Sequence, residues 1–274
     1  MLAYYNLFIY ICNVNQLFSM PQRNQWTHDE LVLTLALYFQ LPFGRLNRST
    51  PEVYELGQLL GRGENSAALR LVNFAACDPY IINSGRHGMA SGSKVCQPVW
   101  DEYVNDKERL YLEAAQIRAR LERKTIEESL NISNADFNGH ERETVIKQRV
   151  DQSAFRNMIL NNYNSTCAIT GINEPKLLIT SHIIPWSERT DTRLNPENGI
   201  CLSALYDKAF DQGLITIRPD DFTIMISDSL KDRLSHDVYR EHFGKVENKK
   251  IILPEEHIPN PDFLLYHVEN LFVR

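Results

Sequence analysis

The chain has 274 residues, a formal net charge of −6 and 43% hydrophobic residues. This length is sufficient for one large domain or two small ones, and the apolar fraction is ordinary for a globular protein with a hydrophobic core. The negative net charge excludes a protein that coats nucleic acid through bulk positive charge, so contact with DNA would require a local basic patch. Five scattered cysteines without a C-x-x-C pair indicate a reducing cytoplasm rather than a disulfide framework or a zinc ribbon.

The N-terminal stretch MLAYYNLFIYICNVNQLFSM is apolar and aromatic, and no basic residue precedes Arg23. It lacks the basic region and the cleavage site of a secretory signal, and it is too short and too polar for a membrane span. We interpret residues 1–19 as a non-native or disordered extension and Met20 as a natural start. An edge strand or a docking arm is the alternative. No other stretch approaches about 18 consecutive apolar residues, which predicts a protein that does not contact the membrane.

Residues 20–97 are expected to form a helical domain. Thr27 followed by Glu30 is a capping-box pattern that predicts the start of its first helix. A second helix is predicted to start at Ser49 or Thr50, and a third at Asn65 or Ser66. Three such helices are typical of a helix-turn-helix-like unit, although helical hairpins are also common outside DNA-binding proteins. The basic side chains in this part that could contact nucleic acid are Arg62, Arg70, Arg86 and Lys94.

Residues 98–143 are expected to link this domain to a second one. The stretch 98–130 is charged and amphipathic and predicts one long helix, which would bridge the two halves or join two chains in a homodimer. The polar, irregular stretch 131–143 is the best domain boundary. The remaining residues, 144–274, would then form the second domain.

A histidine, His182, interrupts the strand-like segment LLITSHIIP. Alone, a histidine in a strand is more often structural, and the residues that follow it favour a functional role. Asn198 follows in a loop, and a helix that begins near Ser203 would carry Asp207 and Asp211 four residues apart, on one face. The strand, the loop and the helix form a β-β-α unit that can bring an imidazole, an amide and two carboxylates to one point.

These groups suit the hydrolysis of a phosphodiester bond. A neutral imidazole can deprotonate water near physiological pH. The transition state and the departing oxygen carry negative charge that a cation would stabilise. Carboxylate and hydroxyl oxygens are hard ligands, which favours Mg²⁺ or Mn²⁺ over zinc.

On these residues, the chain resembles the HNH (ββα-metal) endonucleases and in particular their restriction-endonuclease-like subgroup. The resemblance covers about residues 145–274 and is carried by QRVDQSAFRNMILNNYNSTCAITG, SHIIPW, NPENGICLSALYDKAFDQGLITI and HIPNPDFLLYHVENLF. It implies that His182 is the general base and Asn198 the middle asparagine of the motif. It also implies that Asp207 binds the metal ion and that Asp211 matches a carboxylate of the subgroup. The expected fold class is α+β, with the helical domain in front of a ββα-metal nuclease domain.

Two positions depart from the family pattern. Ser181 stands where the residue before the base is commonly an aspartate or histidine that binds metal, so Ser181 with water, or Asp211, would complete the metal shell. Tyr206 stands where relatives often have a histidine, and if that histidine helps to bind phosphate, Tyr206 would do so less well. The segment around Cys167 lacks the second cysteine of zinc-stapled relatives, so no structural zinc is expected. Further candidates for nucleic-acid contact in this part are Arg149, Arg156 and Tyr206.

The sequence therefore predicts a divalent-metal-dependent endonuclease that acts on double-stranded DNA, in restriction or bacterial defence. The main alternative is an HNH fold that has lost catalysis and binds DNA or regulates, because Ser181 and Tyr206 depart from the motif. A nuclease toxin without target selectivity is a weaker alternative.

Overall fold

The computed structural model describes residues 25–132 and 140–274, so the predictions for residues 1–19 and for Met20 lie outside the described residues. The fold is α+β, as predicted. None of the helices in the described part is long and apolar enough to cross a membrane. The helices are α1 (His28–Tyr38), α2 (Pro51–Leu59), α3 (Glu64–Ala75), α4 (Pro79–Asn83), α5 (Ser93–Tyr103), α6 (Lys107–Leu121), α7 (Ile126–Ser129), α8 (His140–Asn162), α9 (Ala204–Asp211), α10 (Asp228–Arg233), α11 (His236–Tyr239) and α12 (Pro261–Asn270). The strands are β1 (Leu178–His182), β2 (Gly199–Ser203), β3 (Ile215–Ile217) and β4 (Ile224–Ile226).

Helix α1 lies at the centre of the N-terminal helices and contacts α2, α3, α5 and α6. Its predicted capping box is confirmed. The hydroxyl of Thr27 accepts a hydrogen bond from the backbone N–H of Glu30 at 3.3 Å, and the Glu30 carboxylate accepts one from the N–H of Thr27 at 2.8 Å. The two bonds satisfy backbone donors that the first turn of a helix leaves unpaired.

The third predicted helix start is wrong. Helix α3 begins at Glu64, and its N-cap is Gly63 rather than Asn65 or Ser66. Gly63 has a φ of 77°, in the left-handed region that glycine enters without steric cost. The tight turn between α2 and α3 therefore requires a glycine at the N-cap position, and no side chain caps α3.

The stretch 98–130 is not one helix. It belongs to three helices, because Asp106 accepts a hydrogen bond from the backbone N–H of Arg109 and starts α6, and a capping box between Thr125 and Glu128 starts α7. Helix α6 packs against α1 and α8 and buries Leu110 completely. This stretch is thus part of the packed body, and one cluster of buried side chains runs from α1 to α12.

The C-terminal part is built around the antiparallel pair of β1 and β2, in which His182 faces Gly199 and Ser181 faces Ile200. Helices α8 and α9 both pack on this pair. Strands β3 and β4 form a second antiparallel pair, and α12 packs on β3. The strand predicted at about 248–253 is wrong, because Lys250 makes only an isolated bridge with Thr223.

The two parts are joined by polar contacts as well as by the shared core. The Asn161 amide of α8 donates to the carbonyl oxygen of Gln40 at 3.0 Å. Arg86 of the N-terminal part forms an ion pair with Glu256, whose side chain is only 5% exposed. Because Asn161 and Glu256 are buried and take their partners from the N-terminal part, the contacts fix the N-terminal helices on the C-terminal part.

Candidate active site

Ser181, near the end of β1, contacts the first turn of α9. Its hydroxyl donates a hydrogen bond of 2.6 Å to Oδ1 of Asp207. Both residues are buried, at 3% and 8% exposure. Helix α9 begins directly after Ser203, as the sequence predicts, so the short connection from β2 places Asp207 against β1.

His182, the next residue, is partly buried by two aromatic rings and a backbone carbonyl. Its ring stacks on Phe155 of α8, with a centroid distance of 3.7 Å and an interplanar angle of 13°. The edge of the Trp186 ring meets it at 5.5 Å. Its Nε2 lies 3.1 Å from the carbonyl oxygen of Arg193. The ring is therefore fixed in position by contacts on its face, its edge and one nitrogen.

The Arg193 carbonyl also decides which nitrogen of His182 carries the proton. A carbonyl oxygen only accepts hydrogen bonds, so Nε2 must be the protonated nitrogen, and in the neutral ring the lone pair then lies on Nδ1. Within the described residues, Nδ1 has no hydrogen-bond partner. Burial lowers the pKa of His182, and the charge of Arg193 lowers it further, against the opposing effect of the carbonyl. At neutral pH the side chain is thus an unprotonated base with a free lone pair.

Asn198 is fully buried and holds the loop that follows β1. Its Oδ1 accepts from the backbone N–H of Ile184 at 2.8 Å, and its Nδ2 donates to the carbonyl oxygens of Ile184 at 3.1 Å and Thr192 at 3.3 Å. The backbone of Asn198 also accepts from the N–H of Ile183. These bonds tie the two ends of the loop together, and this loop carries the Arg193 carbonyl that holds His182.

Asp211 lies one turn after Asp207 on α9 and is exposed. Desolvation by the surrounding protein raises the pKa of Asp211, and the charge of Asp207 raises it further, with Lys208 opposing. The electrostatic coupling indicates that the two carboxylates are close in space. In the described part of the chain, no group of three or more His, Cys, Asp or Glu side chains is arranged to hold a metal ion.

The imidazole and the carboxylate lie on different faces of β1. Consecutive side chains of a strand point to opposite faces, so Ser181 faces Asp207 of α9, whereas His182 faces Phe155 of α8. The structure thus joins Ser181 with Asp207, and His182 with the loop held by Asn198, but it does not bring His182 into contact with Asp207.

Residues 167–218, which include β1, β2 and α9, match the model of a protein family described as HNH endonuclease. The chain carries an HNH nuclease domain. No curated protein matches the chain. An HNH endonuclease domain indicates a nuclease that acts on DNA.

Most of the basic residues predicted to contact nucleic acid instead make contacts with other residues of the chain. Arg156 donates to the carbonyl oxygens of Leu178 and Pro175, and Arg86 pairs with Glu256. Arg62 pairs with Glu30, and Arg70 lies over the ring of Trp26. These contacts stabilise the fold, so the positions of these four arginines do not support the predicted role. The exposed candidates are Lys94 and Arg149.

Tyr206 is also placed differently from the prediction. It is 6% exposed, and its hydroxyl donates a hydrogen bond to the backbone carbonyl of His242. Its ring packs against Phe243 at 5.9 Å. Because the hydroxyl and the ring are both occupied, the position of Tyr206 favours a structural role over contact with phosphate.

Sequence reasoning missed the residues that hold the His182 ring in place. Phe155 and Trp186 fix the His182 ring, and the Arg193 guanidinium lies 4.9 Å over the Trp186 ring while its Nε donates to the Trp186 carbonyl. Gly199 opposes His182 on β2, and a Cβ there would lie 2.8 Å from the Phe155 ring. The register of the β1–β2 pair could have indicated Gly199, because a glycine opposite His182 leaves room for the Phe155 ring.

Proposed function

We propose that this protein is a divalent-metal-dependent endonuclease that hydrolyses phosphodiester bonds of double-stranded DNA, in restriction or another defence against foreign DNA. The observation that carries the proposal is the state of His182 in the HNH domain. The imidazole is held by the Arg193 carbonyl at Nε2, has its lone pair on Nδ1, and has a pKa lowered by burial. A side chain in this state can accept a proton from water at neutral pH.

The role of His182 is to activate the attacking water. Nδ1 takes a proton from the water molecule while the water oxygen forms a bond to phosphorus, and the 3′ oxygen leaves. The products are a 5′-phosphate and a 3′-hydroxyl end. The positive charge that develops on the ring is stabilised by the Nε2–H donor bond to the Arg193 carbonyl, which strengthens when the ring is charged.

The donor set on α9 fits a hard divalent cation. Asp207 is buried, and its only hydrogen-bond partner among the described residues is the Ser181 hydroxyl. A buried carboxylate without a cationic partner is costly, and the Asp211 carboxylate adds a second negative charge nearby. Asp207, with Asp211 or Ser181, would hold Mg²⁺ or Mn²⁺, since these ions need few protein oxygens and keep water or phosphate as further ligands. When bound, the ion would supply positive charge to the transition state and the leaving oxygen.

Substrate access is supported by the free edge of β1. The strand pairs with β2 on one edge, and its other edge has no partner strand in the described residues. Ile179 on this strand is 38% exposed. A phosphate that lies along this edge would have the Ser181–Asp207 pair on one side and His182 on the other, which accounts for two functional groups on opposite faces of one strand.

The N-terminal helices would select the target, and a double-strand cut would need two such centres, which a homodimer could supply.

The catalytic proposal is tested with plasmid DNA and Mg²⁺ or Mn²⁺, comparing the wild type with His182→Ala and with the control His236→Ala. The side chain of His236 is 84% exposed, and it lies 3.8 Å from the carboxylate of the neighbouring Asp237. Cleavage should be lost only in His182→Ala. Cleavage at the wild-type rate by His182→Ala would contradict the proposed base.

A second candidate is a DNA-binding module without catalysis. It is favoured by the hydrogen bond that Ser181 donates to Asp207, because this bond uses an oxygen that a metal ion would need. A gel shift with duplex DNA, run beside the cleavage assay, separates the two. Binding without nicking with any divalent ion would support the module.

A further inference from the structure

A cavity of about 400 Å³ lies between the N-terminal helices and the HNH domain. Residues from both parts line it, and Tyr80, one of these residues, is 40% exposed, so the cavity is open to the surface. His182, Asn198 and Asp207 do not line it. It is therefore a separate feature, although Glu197, next to Asn198, contributes to its wall.

Aromatic rings form much of the cavity wall. Phe39 and Trp100 lie side by side, with centroids 5.3 Å apart, and Tyr80 and His257 are stacked at 4.5 Å with an interplanar angle of 24°. His257 has a φ of 43°, in the left-handed region, so its stacked position is kept at a backbone cost. Burial lowers the pKa of His257, which keeps the ring neutral and suited to stacking. Such a wall favours a planar ring as the occupant.

Two polar groups of the wall have hydrogen-bonding capacity that no described residue uses. Lys107 makes no ion pair or hydrogen bond within the described residues, and its ammonium group lies 4.7 Å over the Phe39 ring. Asn162 is 6% exposed, and its Oδ1 accepts no hydrogen bond, whereas its Nδ2 donates to the His257 carbonyl. A buried polar atom without a partner is costly and calls for a ligand or a water molecule. Lys107 is thus a donor without an acceptor at the cavity, and Oδ1 of Asn162 is an acceptor without a donor, buried just behind the wall.

The acidic groups of the wall disfavour an anionic occupant. Asp78 accepts from the Tyr38 hydroxyl at 2.7 Å, Glu256 pairs with Arg86, and Glu197 accepts from the Asn260 amide at 3.1 Å. The charge of Glu256 is compensated by Arg86, whereas the described donors to Asp78 and Glu197 are neutral groups, so these two carboxylates leave negative charge around the cavity. A phosphate or carboxylate would be repelled, whereas a neutral ring with polar edges would not.

We propose that this cavity binds a nucleobase. The base would stack on the aromatic wall and accept a hydrogen bond from Lys107 through a carbonyl oxygen or ring nitrogen. A small movement of the wall would expose Oδ1 of Asn162, which is buried in this structure, to an N–H of the base. A flat heterocycle with adjacent donors and acceptors matches both unused groups, and 400 Å³ is at the lower end of the range for small-molecule sites. The base could come from a free nucleoside or from a nucleotide extruded out of duplex DNA, since extruded bases are held by the same stacking and edge contacts.

Binding is tested first with free nucleosides. Titration calorimetry with the four deoxynucleosides is done on the wild type, Lys107→Met, Asn162→Leu and the control Lys249→Met, in which an exposed lysine is changed. We expect binding of at least one nucleoside by the wild type and the control, and a loss of about tenfold or more in the two cavity variants, because each removes one polar contact. Thermal melting identifies a variant that does not fold.

The source of the base is tested by crosslinking. 5-Iododeoxyuridine and 8-azidodeoxyadenosine are irradiated with the wild type, both as free nucleosides and inside a duplex, and the modified peptides are mapped. Modification at Phe39, Trp100 or Tyr80 by the free compounds or by the duplex supports the proposal and identifies the source. If the wild type binds no nucleoside and neither form crosslinks to the wall, the proposal is overturned. It is also overturned if both folded cavity variants bind as the wild type does.

The nucleobase site and the nuclease centre can fail separately. His182→Ala is expected to keep nucleoside binding, because His182 is not part of the wall. Loss of cleavage with retained binding would support both proposals. A wild type that cleaves DNA but shows neither nucleoside binding nor crosslinking would overturn the nucleobase site alone.

Discussion

The hydroxyl of Ser181 donates a 2.6 Å hydrogen bond to Oδ1 of Asp207 and thereby joins β1 to the first turn of α9. This bond supplies the buried carboxylate with its only hydrogen-bond donor among the described residues. In the proposed metal site, it would place a neutral hydroxyl where the resemblance to HNH endonucleases implies an aspartate or a histidine. The affinity of the proposed metal site should therefore depend on residue 181.

Ser181→Asp should make the protein more dependent on divalent ions. Without an ion, the new carboxylate beside Asp207 lowers the melting temperature, because two like charges are then buried together. Mg²⁺ should restore it, with a larger rise than in the wild type. Ser181→Asn is the matched neutral control. Equal Mg²⁺-induced shifts in the melting temperatures of all three proteins would contradict a metal site on α9.

The pH dependence of cleavage should report His182. Burial lowers its pKa below the ordinary value of 6.5. The cleavage rate should therefore rise with pH in the acid range and reach its plateau before pH 7, where the ring is already unprotonated. Phe155→Leu replaces the stacked ring with a smaller aliphatic side chain, increases hydration of the imidazole and should move the acid limb to higher pH. The measurement is the initial rate of plasmid nicking against pH. An unchanged acid limb in this variant would mean that another group controls it.

Gly199→Ala should disturb the support of the base. A Cβ at this position would lie 2.3 Å from Cδ1 of Ile159 and 2.8 Å from the Phe155 ring, so these side chains must move. Overpacking of this kind costs about 1–3 kcal/mol, and displacement of Phe155 should also reduce the cleavage rate. Gly44→Ala is the control, because no atom lies within 4 Å of a Cβ there. Urea unfolding and nicking rates measure both effects, and equal values for the two variants would refute the packing argument.

Asp151→Asn should stabilise the protein at alkaline pH. Asp151 is 2% exposed, and its Oδ1 has no partner within the described residues. Burial, assisted by the charge of Glu108, raises its pKa from 3.8 to about 7. The folded state thus binds the proton more tightly than the unfolded state. The contribution of Asp151 to the free energy of unfolding is fully present below about pH 4. It is lost as the pH rises to about 7, and the loss amounts to at most about 4 kcal/mol.

The free energy of unfolding at pH 5 and pH 8 checks this prediction. Asp151→Asn should lack most of the difference between the two pH values, whereas the exposed control Asp232→Asn should keep the wild-type difference. A wild type with the same unfolding free energy at both values, or an Asp151→Asn variant that keeps the full difference, would show that Asp151 is not the titrating group.

Local sequence signals predicted the elements that depend on local physics. The capping box of Thr27 and Glu30, the start of α9 after Ser203 and the strands β1, β3 and β4 are confirmed, because capping bonds and apolar patterns act within a few residues. The prediction of one helix over 98–130 is wrong, because it followed the local apolar pattern alone. Its apolar pattern continues across Asp106, but the capping bond of Asp106 and packing on α1 and α8 divide it into separate helices.

The sequence by itself determined that the chain carries an HNH domain, because residue order and spacing define such a motif, and residues 167–218, which include His182, Asn198 and Asp207, match the family model. Only the tertiary structure decided the state and surroundings of these groups. It selected the lone pair on Nδ1 through the Arg193 carbonyl, and it directed Tyr206 and most of the predicted basic residues into structural contacts. Those outcomes depend on side chains that are distant in sequence, and burial and hydrogen bonding between distant residues arise only when the whole chain is packed.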